Sequence, residues 1–136
     1  MNTEEVKDWM TIADSDFDSA KILHEAPRKY YEIICYHCAQ AVEKYLKSYL
    51  VYHDILPEKT QDLIHLNRHC VNIDSIFQSI NTKCGFLNRF ANNIRYPHPY
   101  ETGDTDANFA IDAVEKIRNF KPVLDLRNLI NEIQYK

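Results

Sequence analysis

At 136 residues, with a formal net charge of −4 and a pI of about 5.8, the chain fits a single domain, residues 1–136, and lacks the basic field of a constitutive nucleic-acid coat protein. Two glycines in the whole chain argue against a sheet-rich fold, whose turns and bulges consume glycine, and favour long helices. No apolar run approaches the ~20 residues that span a bilayer, and the acidic start MNTEEVKDW lacks a signal peptide's basic and apolar regions. The expectation is a cytoplasmic protein with no membrane association, whose four cysteines stay as thiols. A chain of this size buries about two-thirds of its unfolded surface in one core, so no metal, disulfide or cofactor is needed to hold it.

The first helix is expected over Thr3 to Glu25. Asn2 with Glu5 three residues on is a cap arrangement, and Glu4 and Glu5 suit the positive helix end. Trp9, Ile12, Ala13, Phe17, Ala20 and Leu23 form its apolar stripe, Asp14, Asp16, Asp18 and Lys21 its wet side, and Pro27 ends it. The second helix is expected over Lys29 to His53. Its stretch CYHCAQAVEKYLKSYL is apolar on more than one side, with a narrow polar strip of Gln40, Glu43, Lys44 and Lys47 on one face. A helix apolar over most of its circumference is surrounded by others, so this is the central staff of the bundle.

Asp54 to Lys59 reads as a connector, and Thr60 is the expected cap of a short helix over Gln61 to Cys70 with Leu63, Ile64 and Leu66 inward. A fourth helical segment starts at Asn72 or Asp74 and carries apolar positions from Ile73 through Ile76, Phe77, Ile80, Cys84, Leu87, Phe90 and Ala91 to Ile94, loosened by Gly85. RYPHPYETGDTD, Arg95 to Asp106, is a loop by its prolines, glycine and cap-forming residues. The last helix starts near Asp104 or Thr105, with Ala107, Ala110, Ile111, Val114 and Ile117 inward. Pro122 either kinks it or opens a separate terminal helix carrying Val123, Leu126, Leu129 and Ile130. The fold class is all-α, an antiparallel up-and-down bundle of four or five helices.

Four segments in order carry a family resemblance. WMTIADSDFDSAKIL has a tryptophan, spaced alanines and an acidic-apolar pair. CYHCAQAVEKYLKSYLV has a Gln-Ala-x-Glu-Lys core. KTQDLIHL matches a Lys-Thr-His-Asp-Leu signature with Gln61 in the histidine's place, and CGFLNRFANNIRYP ends in Arg-Tyr-Pro. With these the chain resembles the HEPN family (higher eukaryotes and prokaryotes nucleotide-binding domains), in its Arg-Tyr-Pro branch. The resemblance implies a helical bundle, often a homodimer, whose partner is commonly a minimal nucleotidyltransferase. In many such toxin–antitoxin pairs the HEPN protein is a metal-independent RNase and the transferase its antidote. Catalytic members carry Arg, four to six residues, then His, and a following tyrosine can receive AMP from the partner.

Metal-independent RNA cleavage requires a base for the 2′-hydroxyl proton and a cation for charge building on the phosphorane, roles that suit histidine and arginine. Here Arg95 and His98 are separated by two residues, Tyr96 and Pro97, and Arg89 lies too far back. Pro97 prevents a regular helix from presenting Arg95 and His98 together. The candidate site is therefore Arg95 and His98 for catalysis, with Arg95, Tyr96, Tyr100, Lys44, Lys47 and Arg89 for binding nucleotide or RNA. The plainer account has Arg95 paired with Glu43 or Asp62 to pin the loop, and Tyr96 and Tyr100 packed with hydroxyls outward. Three functions stay open: a module that partners a nucleotidyltransferase and binds nucleotide or RNA at the Arg95–Tyr100 loop, an endoribonuclease toxin, and a ligand-free dimerisation partner.

Other patterns read as structural. His65 and His69 have metal-ligand spacing, but Leu66 stands where a zincin's glutamate belongs and no third ligand is evident, so two half-exposed surface histidines are expected and no metal. Cys35 and Cys38 form a lone Cys-x-x-Cys inside the most buried helix, where cysteine acts as a small hydrophobe. The tyrosines in and near the second helix are expected to pack with a polar tip at the surface or a dimer interface.

Overall fold

The computed structural model describes residues 2–91 and 101–134. Helix α1, Thr3–Glu25, starts where Asn2 accepts a hydrogen bond from the Glu5 amide at 3.1 Å, and ends before Pro27 as its sequence requires. Helix α2, Tyr31–Tyr52, is followed by Asp54 at φ 61°, with the Asp54 amide bonded to Val51 and the Ile55 amide to Leu50. Those two bonds form a Schellman closure that satisfies the helix's last carbonyls, with aspartate where glycine is usual. Helix α3, Leu63–Ile73, precedes a 3₁₀ helix, Ser75–Ile80, and the short helix α4, Asn81–Asn88. Helix α5 spans Asp104–Arg118 and helix α6 Lys121–Gln134. The described residues contain no strand, and the chain is an all-α bundle.

Helix α2 is the axis. From Cys38 to Val51 every residue except Lys44 is buried, and the helix packs against α1, α3, α4, α5 and α6. Its partners along α1 run in the opposite chain sense. Ser48 donates to the Val6 carbonyl at 2.9 Å, Lys47 lies over the Trp9 ring, and Lys44 and His37 meet Asp16. Phe17, Tyr45, Leu46, Leu50 and Phe77 are fully buried, and each such apolar side chain contributes about 1.5–3 kcal/mol.

The structure corrects several local expectations. The buried stripe of α1 is Val6, Met10, Ala13, Phe17 and Ala20; Ile12 lies outside it, half exposed. Asp14 is not on the wet side but bonded beneath α6, as described below. Asp62, not Thr60, caps α3, accepting from the Ile64 and His65 amides. It wins because Asn88 at the end of α4 donates to Asp62 and accepts from the Leu63 amide, so α4 fixes where α3 begins. Ile64 consequently faces outward. The fourth segment is broken rather than continuous, because Asp74 caps a 3₁₀ turn and buried Asn67 holds the Phe77 carbonyl and the Asn81 side chain. Phe77 is thereby stacked between Tyr49 and Phe120. Pro122 opens a separate helix, as its second residue.

Candidate functional site

Arg95, Tyr96, His98 and Tyr100 lie outside the described residues, as does any pairing of Arg95 with Glu43 or Asp62. What the structure describes is the ground on either side of them. The chain enters that segment from α4 and leaves it into α5. Phe86 on α4 stacks edge-on against Phe109 on α5, with ring centroids 4.5 Å apart, so the two helices meet there. The Phe90 ring lies 5.7 Å from that of Phe86. Arg89 is exposed, its guanidinium carbon 5.4 Å from the Phe86 ring and 5.2 Å from the Phe90 ring. Phe109 is 46% exposed, and Phe86 is the ring that both Phe109 and Arg89 approach.

The same end of the bundle collects the turn between α1 and α2. His24 bonds to Asn108 of α5 at 2.7 Å, Lys29 donates to the His24 carbonyl, and the exposed Arg28 lies over the exposed Tyr30 ring. Burial pushes the Cys35 thiol up to about 12, with the Asp106 charge adding to the rise and the Arg89 charge opposing it, so both charges act near the start of α2. The positive end of α5 is already answered by Asp104 and Asp106, and the Gly103 amide donates to Asp106 at 3.0 Å.

The polar strip of α2 is turned inward against α1. Gln40, Glu43 and Lys47 are buried. Lys47 donates to Glu43 at 2.9 Å and lies 5.4 Å from the Trp9 ring centroid. Lys44 donates to Gln40 at 2.6 Å and stands 3.7 Å from both Asp16 and Glu43. The structure thus brings Lys44 and Lys47 together around one glutamate, with their charges matched by Glu43 and Asp16. Glu43 Oε1 and Gln40 Nε2 are buried without a hydrogen-bond partner among the described residues. Arg89 belongs to the other grouping, with the phenylalanines.

A second polar network was not anticipated from sequence. Asp14 accepts from the Tyr45 hydroxyl at 2.6 Å, from both terminal nitrogens of Arg127 at 2.7 and 2.8 Å, and from Arg118 at 3.4 Å. Burial alone would raise the Asp14 carboxyl, but the hydrogen bonds from Arg127 and Tyr45 and the two arginine charges hold it below the ordinary carboxylate range. This network ties α1, α2, α5 and α6 together and acts as a clamp between them.

The HEPN domain family model matches residues 6–127. The chain belongs to the HEPN family. The crystal structure of an archaeal HEPN homologue superposes with a TM-score of 0.66 at 23% identity, over 92% of this chain and 97% of that one, a likeness in fold. No curated protein matches the chain. For a HEPN domain, the aromatic group around Arg89 was partly legible, since Phe86, Arg89 and Phe90 are three and four residues apart in the chain, at the end of α4 and the turn that follows it. Phe109 was not, because its approach depends on how α5 packs.

Proposed function

We propose that this HEPN domain binds single-stranded RNA or a nucleotide at the end of the bundle where α4 leads into the Arg95–Tyr100 segment, working as a homodimer beside a minimal nucleotidyltransferase. The observation that carries the proposal is the exposed Arg89 over the Phe86 and Phe90 rings, with the half-exposed Phe109 against the same Phe86 ring. Unstacked bases bind aromatic faces, at about 1–3 kcal/mol per base, while arginine takes the phosphate in a bidentate contact. Arg95 and Tyr100 add a further cation and ring to the same stretch of chain. Tyr30, Ile33 and Phe109 are exposed, which supports a second copy covering part of this end. Cleavage is not part of the proposal, because two residues between Arg95 and His98 depart from the four to six of catalytic members.

The test is fluorescence anisotropy with a labelled single-stranded RNA of about 12 nucleotides, and calorimetry with ATP, on wild type, Phe109→Ala and Arg95→Ala. Wild type is expected to bind at least one of these ligands, and Phe109→Ala to weaken that binding about 5- to 100-fold. A wild type that binds neither ligand removes the binding function and leaves a structural dimerisation partner. Incubation of the RNA in EDTA beside an Arg95→Ala, His98→Ala double variant is expected to show no cleavage. Cleavage by wild type alone would restore the endoribonuclease.

A further inference from the structure

The connector between α2 and α3 returns Glu58 onto the first turns of α3, where His65 and His69 stand one turn apart. His65 Nε2 lies 2.9 Å from one Glu58 oxygen, His69 Nε2 lies 3.5 Å from the other, and the two Nε2 atoms are 3.4 Å apart. All three ligand atoms fall within 4.8 Å of one another. The third ligand that sequence could not supply is thus a glutamate seven residues before His65.

Three donors of metal-binding type, two imidazole nitrogens and a carboxylate, converge here from the connector and one face of α3. A divalent cation takes a lone pair from each of the three at once. Donors about 2.1 Å from a common zinc at tetrahedral angles stand about 3.4 Å apart, the separation of the two Nε2 atoms, and one oxygen of Glu58 lies within 4.8 Å of both. Two imidazoles and a carboxylate suit zinc and its late first-row neighbours and are too few and too nitrogen-rich for magnesium or calcium.

We propose that Glu58, His65 and His69 form a zinc site with three protein ligands and an open fourth position facing solvent. The site sits on the surface, with Glu58 exposed and both histidines partly so, and an ion can enter without opening the core. Its effect on the fold is to staple the connector to α3. A three-ligand site with an open position is also the arrangement that admits water or an outside ligand.

The test uses the untagged full chain stripped with EDTA and titrated with Zn²⁺ by calorimetry, then with Co²⁺ by visible absorption. One equivalent of zinc is expected to bind, with Co²⁺ giving intense tetrahedral bands and no thiolate charge transfer. His65→Ala and His69→Ala are each expected to lose at least about tenfold in affinity, and Glu58→Gln about tenfold. Zinc should raise the melting temperature of wild type and leave the His65→Ala, His69→Ala double variant unmoved. These are surface positions, and far-ultraviolet dichroism checks that each variant keeps its helices. Absence of stoichiometric binding, equal affinity in wild type and the double variant, wild-type affinity in Glu58→Gln, or thiolate bands with Co²⁺ would each overturn the site.

Discussion

Replacing Asp14 by asparagine isolates the clamp between the helices. The substitution keeps shape and removes the charge that Arg127 grips at 2.7 and 2.8 Å. Arg127 has a side chain only 15% exposed, and its Nε is already buried without a hydrogen-bond partner among the described residues, so the freed guanidinium has little water to turn to. Breaking a fully buried pair costs about 3–5 kcal/mol. The Asp14 side chain is 31% exposed, which reduces the expected cost to about 2–3 kcal/mol. For a domain of this size that lowers the melting temperature by roughly 8–12 °C. Urea unfolding followed by far-ultraviolet dichroism should show a lower midpoint at unchanged slope. The effect has a pH signature. The folded Asp14 carboxyl is held below its unfolded value of about 3.9, so its contribution is full above that pH and fades as pH falls through the lower folded value. The gap between wild type and Asp14→Asn should therefore be constant near neutrality and close below about pH 4. A variant within about 0.5 kcal/mol of wild type at pH 7, or a gap that persists in acid, would refute the clamp.

Two further outcomes follow from buried groups. Lys47→Met removes the closer of the two lysines on buried Glu43, at 2.9 Å, leaving Lys44 at 3.7 Å, and should cost about 2 kcal/mol in urea unfolding, whereas the Glu43→Leu, Lys47→Met double variant should recover most of the loss; a double variant as weak as the single would show that the strip's charges do more than neutralise each other. Burial pushes Cys35 and Cys84 up to about 12 and Cys38 and Cys70 higher still, so none of the four thiols should react appreciably with Ellman's reagent at pH 8 in the folded protein, and all four should react in urea; rapid labelling of one in the folded state would locate an opening in the core.

Some of this molecule is written locally. The Asn2 cap, the acidic first turn and Pro27 bound α1 at both ends, because each acts within a few residues of where it sits. The apolar circumference of α2 announced its central place for the same reason. Two of the misplaced features depend on a distant partner. Thr60 and Asp62 are both capable caps, and Asn88 chooses between them from 26 residues away. Asp14 reads as surface on its own helix, and Arg127, 113 residues further on, makes it part of a clamp.

The same division runs through the functional readings. Sequence alone determined the class, a helical bundle of the HEPN family, because helix periodicity and ordered motifs are properties of neighbouring residues. It also named the ingredients: arginines, tyrosines and a pair of histidines four apart. Tertiary structure decided which of them meet. It buried Lys47 against Glu43 and Trp9, set Arg89 and the half-exposed Phe109 against the one Phe86 ring, and brought Glu58 onto His65 and His69. Helical spacing fixes which residues share a face, but only packing fixes what that face is pressed against, and charge, exposure and ligand geometry all follow from the second.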